Sequence, residues 1–120
     1  MALSLTPRML ETAYEYLRST SPFKSWKLPP VEEIELAVTR HRDREGDHCV
    51  YRRTQDHIIR VSAAAIKTTD ALMQVMAHEM CHAYQEQTKT ARRGEHNTEF
   101  KRLAKRVCRY HGWETAHFIG

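Results

Sequence analysis

The chain has 120 residues, a formal net charge of +4 and 41% hydrophobic residues. This length is that of one domain, spanning 1–120, with a core small enough for a bound metal to add to its stability. No apolar stretch matches a membrane span or a signal-peptide core, and Cys49, Cys81 and Cys108 are an odd set without framework spacing. A membrane protein and a disulfide scaffold are thereby excluded, and a reducing, cytoplasmic setting is expected.

Thr6-Pro7 reads as an N-cap followed by the first residue of a helix, and Leu10, Ala13, Tyr14 and Leu17 recur at helical spacing. Ser19-Thr20-Ser21-Pro22 ends that helix. Residues 23–30 read as a connecting loop, with Trp26 plugging the core. Ile34, Leu36 and Val38 alternate with more polar neighbours, which predicts a strand with one buried face. Residues 42–47 read as a polar turn around Glu45-Gly46, 49–53 as a second strand, Gln55-Asp56 as a tight turn and 57–62 as a third strand. The expected arrangement is a three-stranded antiparallel sheet.

Residues 70–87 contain no Gly or Pro and are dense in Ala, Leu, Met, Gln and Glu, which predicts a helix. Asp70, after Thr68 and Thr69, supplies an N-cap or a first-turn acid. Apolar residues on most sides predict that the helix is buried. Within it lies His78-Glu79-Met80-Cys81-His82. Residues four apart on a helix are only roughly 40° apart around the axis, so His78 and His82 can reach one metal ion. Glu79 lies about 60° from His82, beside the ion, where a general base acting on water belongs. By composition alone an HExxH string arises in about one such chain in twenty, so the helical context carries much of the inference. Cys81 points away from both imidazoles and reads as a core residue, and Tyr84 also faces away from the metal.

A catalytic zinc uses three protein ligands and keeps one position open. After thirteen intervening residues, 83–95, comes His96, within Arg93-Gly94-Glu95-His96-Asn97-Thr98-Glu99-Phe100. Gly94 can turn the chain, and a second helical pattern over 97–110 would bring His96 back toward the first helix. His96 is the preferred third ligand, with Glu95 and Glu99 as rivals. On the second helix Phe100, Leu103, Val107 and Tyr110 form an apolar stripe. Arg102, Lys105, Arg106 and Arg109 occupy much of the opposite side, with Lys101 nearby and Arg92 and Arg93 just ahead. Such a face suits nonspecific contact with nucleic-acid phosphates, although basic helical faces are more often simply solvated. Gly112 is placed to end the helix, and Trp113 to pack back on the core.

His78-Glu79-Met80-Cys81-His82-Ala83-Tyr84, followed by His96-x-x-Glu99-Phe100, resembles the SprT-like zinc metallopeptidases, the family that includes the Spartan protease domain. Cys49-Val50-Tyr51 and Ile59-Arg60-Val61-Ser62 resemble the strands that precede the active-site helix in that family. The resemblance implies an α+β, minimal zincin-like fold: N-terminal helix, three strands, active-site helix and C-terminal helix. It implies one zinc ion per chain on His78, His82 and His96, with Glu79 as catalytic base. It also implies a protein or peptide substrate, held main chain to main chain by a strand expected at 58–62. The chain departs from the family in having Asn97 where Gly often follows the third histidine, and in having no paired cysteines. Two rivals stand beside this reading. One is a deformylase-like hydrolase with Cys49 as third ligand; the other is a zinc-stabilised DNA- or protein-binding module without turnover. The intact Glu79 weighs against the second, because a structural site needs no base.

Overall fold

A computed structural model describes residues 4–90 and 96–120. Helix α1 spans Pro7–Arg18; Thr6 caps it by accepting from the Met9 amide, and Pro7 opens it as the sequence predicts. Leu10, Ala13, Tyr14 and Leu17 are all buried, so the apolar stripe faces the core. Two single 3₁₀ turns, Phe23–Ser25 and Val31–Glu33, lead to the sheet. Trp26 is buried as expected and stacks on Tyr84 with ring centroids 4.3 Å apart.

The strands are β1 (Glu35–Thr39), β2 (Gly46–Val50) and β3 (His57–Ser62), ordered β1-β3-β2. β2 runs antiparallel to β3, but β1 runs parallel to it, so the sheet is mixed and not the antiparallel sheet expected from sequence. The reason lies in β3: it is buried along its length except at Arg60, whereas β1 and β2 are only partly buried. A strand buried on both faces belongs in the middle of a sheet, and the more polar strands take its edges. This corrects the expectation that 58–62 is the edge strand that receives substrate. Both sides of β3 are already hydrogen-bonded, and β2 is the edge that packs against the long helix.

β2 also begins earlier than expected. Its register pairs Gly46 with Val61 and Val50 with His57, so the polar turn ends at Glu45. The hairpin loop closes through Tyr51 N–H to the Asp56 carbonyl at 2.9 Å, with Gln55 at φ +65°. Gly46 serves a close approach, not a turn: a Cβ there would lie 2.8 Å from Val75 Cγ1 and 2.9 Å from the Arg60 carbonyl oxygen.

Helix α2 (Thr69–Thr88) starts at Thr68, whose side chain accepts from the Ala71 amide; Asp70 is the first-turn acid. It packs on β2, β3, α1 and α3, and Leu72, Met76, Ala77, Met80, Cys81 and Ala83 are buried around it. Helix α3 (Thr98–His111) buries Phe100, Leu103 and Val107 and ends at Gly112 with φ +78°. Tyr110, at the end of the expected stripe, is 58% exposed instead. A further short helix, α4 (Thr115–Ile119), follows and buries Phe118. Trp113 packs against the core as expected, stacked on His111 and Phe118. Among the described residues no helix is long and apolar enough to cross a membrane.

Candidate metal centre

α2 presents His78 and His82 on one face, one turn apart, with their Nε2 atoms 3.3 Å from each other. His96 lies one residue ahead of the α3 cap, and its Nε2 is 3.2 Å from that of His78. The cap residue Asn97 holds it there. Its Oδ1 accepts from the Phe100 amide at 2.8 Å and from Gln85 Nε2 at 3.0 Å, and its Nδ2 donates to the Thr90 carbonyl. Gln85 is buried on α2, so a single side chain both starts α3 and ties it to the helix carrying the other two imidazoles.

Three ring nitrogens, one from each of His78, His82 and His96, lie within 4.8 Å of one another and form a group that could hold a metal ion. Hydrogen bonding alone accounts poorly for this arrangement. His78 Nδ1 lies 2.9 Å from the Phe118 carbonyl oxygen, and a carbonyl only accepts, so Nδ1 carries the proton and Nε2 is a bare lone pair. Two further ring nitrogens then converge on that one lone pair. A tetrahedral ion with metal–nitrogen bonds of about 2.0–2.1 Å needs ligand atoms about 3.3–3.4 Å apart, close to the 3.3 and 3.2 Å that separate His78 Nε2 from His82 and His96. The residues fit a metal.

Burial, and then the neighbouring His78, His96 and His48, push the His82 imidazole down to about 3. It is therefore held neutral, the form in which imidazole ligates. Phe100 supplies the floor of the centre. Its ring is fully buried and stacks on His82 and His96, with centroids 4.5 and 4.7 Å away. Glu79, between the two α2 histidines in sequence, is 6% exposed.

The centre opens into a cleft of about 440 Å³ lined by His78, Glu79 and His96 on one side. The turn residues Asp43, Arg44 and Glu45 with Gly46, the first residue of β2, form another wall, and His117, Phe118, Ile119 and Gly120 of α4 and its end form a third.

The other residues singled out by sequence lie elsewhere. Glu99 is bound to Arg102 through both oxygens, at 2.5 and 3.0 Å, and is not in the metal group. Glu95, Arg92, Arg93 and Gly94 lie outside the described residues. Cys49 is exposed on β2, 3.5 Å from an Arg60 guanidinium nitrogen, so it is no third ligand. Cys81 is fully buried, and burial pushes its thiol well up, as expected of a core residue. His57 is bonded to His48 at 2.8 Å and His111 to Thr20 at 3.2 Å. Lys101, Arg102, Lys105, Arg106 and Arg109 are all exposed on α3. Sequence reasoning missed the hydrogen bond from His78 to Phe118, the Asn97 clamp and the presence of His117 in the cleft. The one available signal was Asn97, a strong N-cap residue directly after the third histidine.

Compared with known protein families, residues 10–117 match the SprT-like family. The chain belongs to that family. No curated protein matches it.

Proposed function

We propose that this protein is a zinc-dependent endopeptidase. The observation that carries the reading is the convergence of the three imidazoles beside the buried Glu79, at a cleft bordered by the turn 43–45 and by Gly46, the first residue of the edge strand β2. His78, His82 and His96 would hold the ion, and a three-histidine donor set suits zinc. When bound, zinc supplies Lewis acidity, which brings water within reach of a carboxylate base at neutral pH. Glu79 accepts the proton of the attacking water and passes it to the departing amine as the peptide bond breaks. The outer edge of β2 pairs with no strand among the described residues, and an extended substrate would align there as an added strand. The expected substrate is accordingly a protein or peptide segment able to extend, not a folded surface.

Exchange of Glu79 for Gln tests the reading. The variant is expected to keep about one zinc per chain and to lose cleavage of an unfolded protein such as casein. Full activity in Glu79→Gln, or a wild type that holds no zinc, would overturn it. Zinc retained with binding but no cleavage in the wild type would favour the zinc-stabilised binding module.

The exposed basic residues of α3 support a second property, contact with nucleic-acid phosphates through Lys105, Arg106 and Arg109, with Arg102 partly engaged by Glu99. Such binding would weaken steeply with salt. The test is DNA binding at two ionic strengths, in the wild type and with these three residues changed to Gln. Binding indifferent to both would remove the proposal.

A further inference from the structure

The peptidase reading leaves one role unfilled: a donor aimed at the carbonyl oxygen of the substrate as negative charge develops on it. Such a donor is worth a large factor in rate, because it acts only where charge appears. We infer that His117 fills this role, an assignment that rests on the peptidase reading.

His117 lines the same cleft as His78, Glu79 and His96, from α4. Its place there is fixed by its neighbour. The Phe118 carbonyl oxygen lies 2.9 Å from His78 Nδ1, the Phe118 ring is 5.6 Å from the His78 ring, and Trp113 stacks on Phe118 from behind. α4 is thus pinned to the metal centre one residue away from His117.

Few other side chains of the cleft carry a donor. Arg44 lies 3.4 Å from Asp47 and 3.8 Å from Asp43, so its guanidinium is drawn toward those two carboxylates. The Gln74 amide donates to Asp70 at 2.9 Å. The ring nitrogens of His78 and His96 face each other within the centre. His117 is exposed and has no hydrogen bond to the described residues, so its imidazole is at liberty to reach a ligand. A neutral imidazole has one N–H to give, so the role does not require it to be charged.

The assignment makes His117 a catalytic residue and separates it from the ligands. The test uses zinc-loaded wild type, His117→Ala and His117→Gln with a fluorogenic peptide. It adds calorimetric binding of a peptide phosphonamidate, whose tetrahedral anionic oxygen mimics the developing charge. In His117→Ala, kcat is expected to fall about a hundredfold, the lower end of the effect of one oxyanion donor, with KM within twofold. Phosphonamidate affinity should fall in parallel while zinc affinity stays unchanged, and His117→Gln, which keeps an N–H, should recover part of both. Turnover and phosphonamidate affinity within twofold of wild type would overturn the role of His117 alone. Loss of zinc in His117→Ala would also overturn it, since it would make the residue a ligand. A wild type that holds zinc but hydrolyses no peptide would instead overturn the peptidase reading, and this inference with it.

Discussion

The imidazole of His78 is held from behind by the backbone of Phe118, with Nδ1 2.9 Å from the carbonyl oxygen. A residue forty positions along the chain thereby fixes which ring nitrogen faces the metal centre. Outer partners of this kind typically change metal affinity 10–100-fold. Ending the chain after Glu114 removes the carbonyl together with α4. It is expected to weaken zinc binding by about tenfold or more, read by competition with a chromophoric chelator. An unchanged affinity would show that the ring keeps its orientation without this bond.

Phe100 joins the core to the site, because its fully buried ring stacks on His82 and His96. Phe100→Ala is expected to cost about 3–5 kcal/mol of stability in the metal-free protein, as buried aromatic deletions do. Phe100→Leu should cost less while still loosening zinc. Denaturation by urea measures the first effect and metal titration the second. Equal zinc affinity in all three proteins would reduce the ring to packing.

Gly46 lets β2 lie close over α2, within 3.6 Å of Glu79 Cγ if a Cβ were built there. Gly46→Ala should therefore destabilise the protein by about 1–3 kcal/mol through overpacking. Changing Val75 to Ala in the same chain removes the contact at 2.8 Å and should recover part of the loss, whereas the Arg60 carbonyl at 2.9 Å remains. Additive effects of the two substitutions would mean that the strand has shifted elsewhere.

The hydrogen-bonded pair His48 and His57 predicts acid sensitivity. Burial, and then His57, push His48 from 6.5 down to about 4, with Asp47 opposing. His57 is lowered as well, chiefly by burial. Between these values the unfolded chain binds more protons than the folded one, so stability falls as pH drops from about 6.5 toward about 4. For His48 alone the loss by pH 4.5 is on the order of 2–3 kcal/mol. The metal-free His48→Gln protein should lose less stability between pH 7 and 4.5 than metal-free wild type. Parallel losses in the two would place the acid sensitivity elsewhere.

Glu99, the sequence's other described candidate for third ligand, is committed to Arg102 at 2.5 Å. Glu99→Gln should leave zinc stoichiometry at its wild-type value, and His96→Ala should weaken binding at least a hundredfold. The reverse result would reassign the ligand.

Much of this arrangement is legible in local sequence. The stripe of Leu10, Ala13, Tyr14 and Leu17, the start of α2 at Thr68 to Asp70 and the stop at Gly112 are each set by neighbours a few residues away. The grouping of His78 with His82 follows from helical periodicity alone. What could not be read depends on contacts between distant segments. The parallel pairing of β1 with β3 is decided by which strand is buried on both faces, and the run Ile58-Ile59 with Val61 signalled it only weakly. α4 has five residues, too few for a periodic pattern, and is held by Phe118 and Trp113 packing on the site. The edge position of β2 follows from the same strand order and could not precede it.

That edge has a second consequence. A strand open to a substrate's backbone is equally open to the backbone of another copy of the same protein, and nothing in amide pairing distinguishes the two. Here β2 is only five residues long, and near its start Arg44 and Asp47 are joined at 3.4 Å. Short length and fixed charge are the usual defences against pairing between copies, and both leave room for a transient guest. On the peptidase reading, resistance to self-pairing and access for substrate would be governed by the same few residues, so changes that neutralise them are expected to be felt first as self-association at high concentration.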